Sequence, residues 1–133
     1  FAVNAIGPAL IAQALLPKLR RDRKTAFAAL SARVGSISDN RLGGWYGYRA
    51  SKAALNQLVR SAAIEQSRRN PQSVVVTLHP GTVDTRLSKP FQRGVPELFD
   101  PATSARHLLD VLDALTPADS GGLFAWDGSA IAF

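Results

Sequence analysis

The sequence contains no cysteine and no methionine, and its only histidines are His79 and His107. Without cysteine there is no disulfide framework, no thiolate zinc site and no thiol nucleophile. No apolar run reaches the roughly 18 residues needed to cross a bilayer, and no secretory signal pattern opens the chain. We therefore expect a cytoplasmic protein without a metal site or a membrane partner.

The missing methionine also bears on where the chain starts. Translation begins with Met, and its removal favours a small second residue, whereas this sequence opens with Phe1. We expect residues to precede Phe1 in the natural protein. The 133 residues, 46% of them hydrophobic, can bury a sizeable core without covalent or metal staples.

Negative charge is scarce over most of the chain. Residues 1–94 carry 15 of the 16 Lys and Arg but only 4 of the 10 Asp and Glu. A basic excess can attract nucleic acid. Its densest run, residues 20–24, follows a predicted helix, where cations complement the helix dipole, and no stacking aromatics are interleaved with it. We predict a solvated helix end and no nucleic-acid partner, and keep a basic nucleic-acid-binding domain as the weakest hypothesis.

Hydrophobic patterning predicts three strands alternating with three main helices. Helices are predicted over residues 5–19, 46–69 and 100–115, and strands over residues 25–31, 74–78 and 121–126. Both of the first two strands are expected to be covered on both faces. This order predicts right-handed crossovers and a doubly wound α/β fold with a parallel sheet, whose ligands bind beyond the carboxyl ends of the strands.

Two details of the predicted elements can be checked against a structure. In the first helix one apolar face is predicted, and Pro17 is expected to kink or shorten the last turn. The face consists of Ile6, Leu10, Ala14 and Leu15, widened by Ile11 and Leu19. Residues 88–99, with two prolines and one glycine, are predicted to form an irregular loop.

Tyr48 and Lys52 lie four residues apart near the start of the second predicted helix, on one face and one turn apart. A nearby cation favours phenolate over phenol and lowers a tyrosine pKa from about 10 toward neutral pH. The pair can therefore act as a general acid or base. The spacing alone is common on solvated helix faces, so it does not define a site by itself.

Three segments in order give the pair a context: residues 30–35 (LSARVG), then residues 43–56 (GGWYGYRASKAALN), then residues 79–85 (HPGTVDT). Together they resemble the short-chain dehydrogenase/reductase family, and most closely its carbonyl-reductase-like branch, which includes the sniffer and C-factor proteins. The resemblance covers essentially the whole chain. It implies a Rossmann-like fold and hydride transfer between a nicotinamide cofactor, NADP or NAD, and a carbonyl or alcohol substrate.

The resemblance also implies roles for individual residues. Tyr48 exchanges a proton with the substrate oxygen, and Lys52 lowers the pKa of Tyr48 and hydrogen-bonds the nicotinamide ribose. Asn4 supports a proton-relay water, although asparagine is also a good helix N-cap. Four further residues are expected to bind the nicotinamide end of the cofactor, with Val83 acting through its backbone and Thr85 through its hydroxyl: Pro80, Gly81, Val83 and Thr85.

The catalytic serine departs from the family pattern. The family has two consecutive serines, then two residues, then glycine; with Gly35 fixing the register, the second serine position is Ala32. Ser31 matches the first, but adjacent strand side chains face opposite ways, so it can substitute only if the strand end is twisted or bulged. Ser36 or Ser38 in the following loop is an alternative, and the hydroxyl can also be missing.

A larger departure concerns the cofactor phosphates. The sequence has no glycine-rich turn of the type that binds a pyrophosphate at a helix N-terminus. We therefore expect residues 1–133 to be the C-terminal, catalytic part of one incomplete Rossmann-like domain. A noncatalytic binding or signalling relative of the same fold is the alternative. A homo-oligomer formed through the helices near residues 5–19 and 46–69 is also implied.

Overall fold

The computed structural model describes residues 1–133 as a mixed sheet with helices on both faces. The helices are α1 (Gly7–Leu15), α2 (Tyr46–Arg69) and α3 (Pro101–Ala114), and the strands are β1 (Thr25–Leu30), β2 (Ser73–His79), β3 (Thr82–Val83), β4 (Leu98–Phe99), β5 (Leu123–Ala125) and β6 (Ala130–Ile131). A π-helical turn, Ala2–Ile6, leads directly into α1. No helix has both the length and the hydropathy that a membrane span requires.

The main sheet has the order β1-β2-β5-β6. β1 and β5 flank β2 and both run parallel to it, which confirms the predicted parallel sheet and the doubly wound α/β class. β6 was not predicted, and it pairs antiparallel with β5. The turn at Asp127, whose carboxylate accepts hydrogen bonds from Ser129, reverses the chain there.

Two cores lie on opposite faces of the sheet. α1 and α2 cover one face, where Leu55 and Val59 pack against Val75. α3 covers the other face, where Val111 packs against Val76. Every residue of β2 before His79 is buried, as expected of a central strand that has helices on both sides.

The face of the first helix was predicted wrongly. Ile6, Leu10 and Leu15 are exposed, whereas the small Ala5 and Ala12 are buried. Alanines allow α1 to pack closely on its neighbours, so the larger side chains turn outward. The effect of Pro17 is confirmed, because α1 ends at Leu15 and continues only as a 3-10 turn, Leu16–Lys18.

β1 also departs from expectation, because it lies at an edge of the sheet and pairs only with β2. Leu30 at its end is 59% exposed, so the strand is not covered on both faces. The predicted irregular loop contains β4, which pairs parallel with β3 and brings the two ends of residues 84–97 together.

Candidate active site

The carboxyl ends of β1 and β2 face the same edge of the sheet, and the segments that follow them meet the start of α2. One turn after β1 packs directly on α2: a methyl group added at Gly35 would stand 2.8 Å from the Cβ of Lys52. Glycine is required there by this close approach. This edge is where parallel sheets bind ligands.

Tyr48 and Lys52 lie together on the first turns of α2, as the spacing predicts. The Nζ atom of Lys52 stands 6.0 Å from the centroid of the Tyr48 ring, and it donates a hydrogen bond of 2.8 Å to the carbonyl oxygen of Leu30. The Lys52 side chain is buried, whereas Tyr48 is 44% exposed. The structure thus holds an ammonium inside the edge and presents a phenol toward solvent.

Burial perturbs both groups in the direction of their neutral forms. It raises the pKa of Tyr48 above its ordinary value and lowers the pKa of Lys52. The sequence led us to expect the opposite for Tyr48, a pKa lowered by the nearby cation. The expected direction is not found, because Lys52 is turned toward the Leu30 carbonyl and desolvation of the phenolate dominates.

Asn4 contacts the helix that carries the pair. Its Nδ2 donates a hydrogen bond of 3.1 Å to Oγ of Ser51, and that hydroxyl donates to the carbonyl oxygen of Tyr48 at 2.8 Å. Asn4 lies within the π-helical turn and its side chain caps no helix, so the ordinary N-cap role does not apply. Interruptions of this π type are frequent at functional sites.

Ser31 is turned away from the ligand edge. It is buried, and its hydroxyl donates a hydrogen bond of 2.7 Å to Oδ1 of Asn56 on α2. Ala32 follows in extended conformation with φ −154° and ψ 149°, so its methyl group points to the other side of the chain. No bulge redirects Ser31, and in this structure its hydroxyl is not free to contact a substrate carbonyl.

The two loop serines make contacts within their own loop and with the chain end. Ser36 is buried, and its Oγ accepts the backbone N–H of Asp39 at 3.0 Å. Ser38 is exposed, and its backbone N–H donates to the carbonyl oxygen of Phe133.

The segment after β2 forms the turn that its sequence predicts. Gly81 has a φ of +74°, and an added Cβ would stand 2.9 Å from carbons of both Phe99 and Trp126. The carbonyl oxygen of Pro80 accepts a hydrogen bond from Ser104 on α3. Val83 lies in β3 and is partly exposed, and the side chain of Thr85 is exposed.

A groove of about 310 Å³ runs along β1 beside the candidate site. Asn4 and Lys52 form its polar part, and its remaining walls are apolar residues of β1 and of the first helical segment. The groove therefore joins the predicted polar residues to the open edge of the sheet.

One contact of the site was not predicted, although spacing places its residue on the right helix face. Asn56 lies four residues after Lys52 and eight after Tyr48, on the same face of α2, and it holds Ser31. His79 ends β2, and His107 on α3 packs against the rings of Phe99 and Trp126.

The parallel sheet and its open carboxyl edge, beside which the Tyr48–Lys52 pair lies, define a Rossmann-like α/β protein. The family model for short chain dehydrogenases matches residues 1–95. The chain belongs to the short-chain dehydrogenase family, a family of oxidoreductases.

Similar proteins place it near the carbonyl reductases. It is 40% identical to the C-signal of Myxococcus xanthus over 98% of this chain and 75% of that protein. The carbonyl reductase Sniffer of D. melanogaster superposes with a TM-score of 0.83 at 29% identity, and the NADPH-bound carbonyl reductase from chicken fatty liver with 0.80 at 34%. Both superpositions cover 98% of this chain and 54% of the solved one.

The chain thus spans three quarters of the C-signal and about half of the other relatives. Among them is a 1-hydroxy-2-glutathionyl-2-methyl-3-butene dehydrogenase from Rhodococcus, which is 36% identical over 54% of its own length.

Proposed function

We propose that the protein is an NAD(P)-dependent oxidoreductase in which Tyr48 exchanges a proton with the oxygen of a carbonyl or alcohol substrate. The observation that carries this proposal is the environment of the Tyr48 hydroxyl. The hydroxyl makes no hydrogen bond within the protein, its side chain is 44% exposed at the start of α2, and Nζ of the buried Lys52 stands 6.0 Å from its ring centroid. Similarity to carbonyl reductases supports the substrate class.

The pKa directions suit Tyr48 as the acid in carbonyl reduction. Because burial raises the pKa of Tyr48, the phenol is protonated at neutral pH and can donate to the developing alkoxide. The phenolate that remains has Nζ of Lys52 6.0 Å from its ring centroid, and this cation favours the charged form, although desolvation outweighs its effect before the reaction.

The donor groups present fit the nicotinamide side of the cofactor. Lys52 has three N–H donors and uses one on the Leu30 carbonyl, which leaves two for ribose hydroxyls. Thr85 offers an exposed hydroxyl and Val83 a backbone amide next to the Pro80-Gly81 turn. When bound, the nicotinamide supplies or accepts the hydride. Tyr48 is the further ribose contact, and the choice between NAD and NADP stays open.

Asn4 is proposed to support the proton relay. Its Nδ2 is engaged by Ser51, while its Oδ1 has no partner within the protein and is free to accept from a water beside Lys52. Both residues line the groove along β1, which gives such a water a place.

We also propose that residues 1–133 are the catalytic side of one Rossmann-like domain, whose pyrophosphate-binding side comes from a preceding segment. The open edge of β1 and the half-length coverage of the relatives support this division. A homo-oligomer through α1 and α2 and a cytoplasmic location stay predictions.

A noncatalytic binding or signalling role is the second candidate. The methyl group at Ala32, where the family has a hydroxyl, and the 40% identity to the C-signal favour it.

The test is oxidation of NADPH or NADH by the natural-length protein, followed at the nicotinamide absorbance with an aldehyde or a quinone. Tyr48→Phe keeps the ring and removes the proton, so kcat is expected to fall by about 10²- to 10⁴-fold. Tyr46→Phe, which changes an exposed tyrosine on the same turn, is the matched control and should keep full activity. Oxidation that survives Tyr48→Phe would contradict the mechanism, and cofactor binding without turnover would favour the second candidate.

A further inference from the structure

Trp45, immediately before α2, is the only residue other than glycine with a left-handed backbone, at φ 49° and ψ 39°. This conformation is disfavoured because it brings Cβ close to the following carbonyl oxygen. Surrounding contacts must hold such a residue in place, and residues of this kind cluster at functional sites.

Arg49 provides those contacts. Its guanidinium lies 5.6 Å from the centroid of the Trp45 ring. Its Nε donates to the carbonyl oxygen of Gly44 at 3.0 Å and its Nη2 to that of Gly43 at 3.1 Å. Its Nη1 donates to the carbonyl oxygen of Val34 at 3.2 Å. One side chain thus fixes the indole and ties the turn before α2 to the turn after β1.

The second ring of this arrangement comes from the loop between β3 and β4. Phe91 meets Trp45 edge to face, with ring centroids 6.1 Å apart and planes at 84°. Pairing of β3 with β4 closes the base of this loop, so Phe91 is held near the start of α2. Trp45 nevertheless remains 52% exposed and Phe91 58% exposed.

The location of the two rings indicates a ligand contact. They follow the carboxyl ends of β1 and β2, where ligands bind in such sheets, and Trp45 precedes Tyr48 by three residues on the chain. Large apolar side chains that are clustered yet left exposed commonly mark binding surfaces.

We propose that Trp45 and Phe91 form an aromatic wall of the substrate site, so that the enzyme prefers aldehydes and ketones carrying a planar aromatic group. Stacked or edge-to-face contacts of aromatic rings stabilise such a substrate beyond its buried area. Arg49 is the positioning residue of this wall. The inference rests on the proposed function, because it assigns the substrate class of the same site.

The test compares two aldehydes with the same number of carbon atoms, benzaldehyde and cyclohexanecarbaldehyde, on the natural-length protein. For Trp45→Leu and Phe91→Leu we expect kcat/KM to fall about tenfold for benzaldehyde and less than about twofold for the saturated aldehyde. Trp45→Phe should restore most of the preference. Tyr46→Leu removes an exposed aromatic side chain adjacent on the chain and should leave both values unchanged. An equal decrease in kcat/KM for both aldehydes would contradict the proposal that the two rings form an aromatic wall.

A binding measurement separates this inference from the reductase proposal. The chain has two tryptophans, so Trp126→Phe leaves Trp45 as the only one. We expect saturable quenching of its fluorescence by 4-nitrobenzamide, which has no aldehyde or ketone group, and at least fivefold weaker binding in the added variant Phe91→Leu. Saturable quenching in a protein that oxidises no NAD(P)H would support the aromatic wall as a binding surface and contradict the proposed reductase activity. Quenching that rises linearly without saturation would show collision without binding and would contradict the aromatic wall as a binding surface.

Discussion

Position 32, where the family pattern predicts a carbonyl-orienting hydroxyl, carries the methyl group of alanine, and the hydroxyl of the neighbouring Ser31 contacts α2. Ser31 donates to Asn56 inside the protein, and Lys52 donates to the carbonyl of Leu30, one residue earlier. Two successive turns of α2 thus hold the end of β1. Ser31 therefore fixes the strand end, and under the proposed function the substrate oxygen has one donor fewer.

We predict that Ala32→Ser increases the turnover of the natural-length protein. Removing one donor to a developing oxyanion typically costs about 10²- to 10³-fold in kcat, so restoring one is expected to raise kcat at least about tenfold. Steady-state NAD(P)H oxidation measures the effect. An unchanged kcat would mean that a serine from the loop after β1 already supplies the hydroxyl.

Ser31→Ala is the companion variant and should act on stability. It leaves the buried amide of Asn56 without its only hydrogen-bond partner, which costs about 1–3 kcal/mol. Urea unfolding measures that loss. A loss of activity as large as that of Tyr48→Phe, at unchanged stability, would instead make Ser31 a substrate contact.

His79, at the end of β2, makes stability depend on pH. Its pKa is lowered to about 4, mainly by burial and also by the Arg33 cation, while Asp127 opposes the shift. The pKa in the folded protein lies below the ordinary 6.5, so the unfolded state takes up the proton first. The stabilisation is complete above pH 6.5 and is lost as the pH falls to about 4.

We predict that the free energy of unfolding decreases by about 3 kcal/mol across this range because of His79. Urea unfolding at pH 7 and pH 4 is expected to show a smaller difference in His79→Gln than in the unchanged protein. His107→Gln changes the other histidine and should keep the larger difference. If His79→Gln leaves the pH dependence unchanged, the carboxylates and not His79 cause it.

At the scale of elements, the helices and strands predicted most accurately are those that a local sequence pattern determines. α2 has the predicted bounds, and β2 extends the predicted strand by one residue at each end, because a long helical stripe and a β-branched run are strong local signals. β3, β4 and β6 have two residues each, which is too short for a recognisable pattern. β3 and β4 form only by pairing with each other, and β6 forms by pairing with β5 across a tight turn. The outward face of α1 was missed because only the neighbouring helix determines which side packs.

The same division holds for the site. The spacing of Tyr48 and Lys52 follows from helix geometry and was predictable. The direction of the Tyr48 pKa shift was not, because it depends on burial and on the contact of Lys52 with the Leu30 carbonyl. The hydrogen bond from Ser31 to Asn56 joins residues 25 positions apart, so the helical spacing of Asn56 indicates the face on which it lies but not its partner.

The junction of β2, β4 and β5 depends on one glycine. Gly81 combines a φ of +74° with contacts that leave no room for a methyl group between Phe99 and Trp126. We predict that Gly81→Ala lowers the free energy of unfolding by about 2–5 kcal/mol, from the left-handed backbone together with overpacking. Thermal or urea unfolding measures this loss.

Gly128→Ala is the matched control for Gly81→Ala. Its φ is +82°, but nothing lies within 4 Å of an added Cβ, so it reports the backbone contribution alone, about 1–2 kcal/mol. Equal effects of the two substitutions would show that Phe99 and Trp126 move aside, and the junction would then be less rigid than its contacts indicate.

At the scale of the whole molecule, the outer edge of β1 carries backbone N–H and C=O groups that no neighbouring strand pairs. The N–H of Ser31 donates to Leu78 of β2, whereas the carbonyl of Leu30 points outward to Lys52. Alternate residues of a strand direct their N–H and C=O groups to the same side, so Ala28 and Ala26 face outward with Leu30. This edge, the groove beside it and the exposed apolar residues of α1 fit the proposal that a further parallel strand covers them.

Ala28→Pro tests this arrangement, because proline removes an outward N–H and is tolerated only on an unpaired edge. In the 133-residue chain we expect it to leave the stability within about 0.5 kcal/mol and to reduce self-association, since unpaired edges pair with other chains.

In the natural-length protein the same change should lower the free energy of unfolding by about 1–3 kcal/mol, because a buried ladder bond is lost. Light scattering at several concentrations and urea unfolding measure the two effects, with Ala28→Ser, which keeps the N–H, as the control. Equal tolerance of proline in both chains would show that β1 is a true edge and that no preceding strand pairs with it.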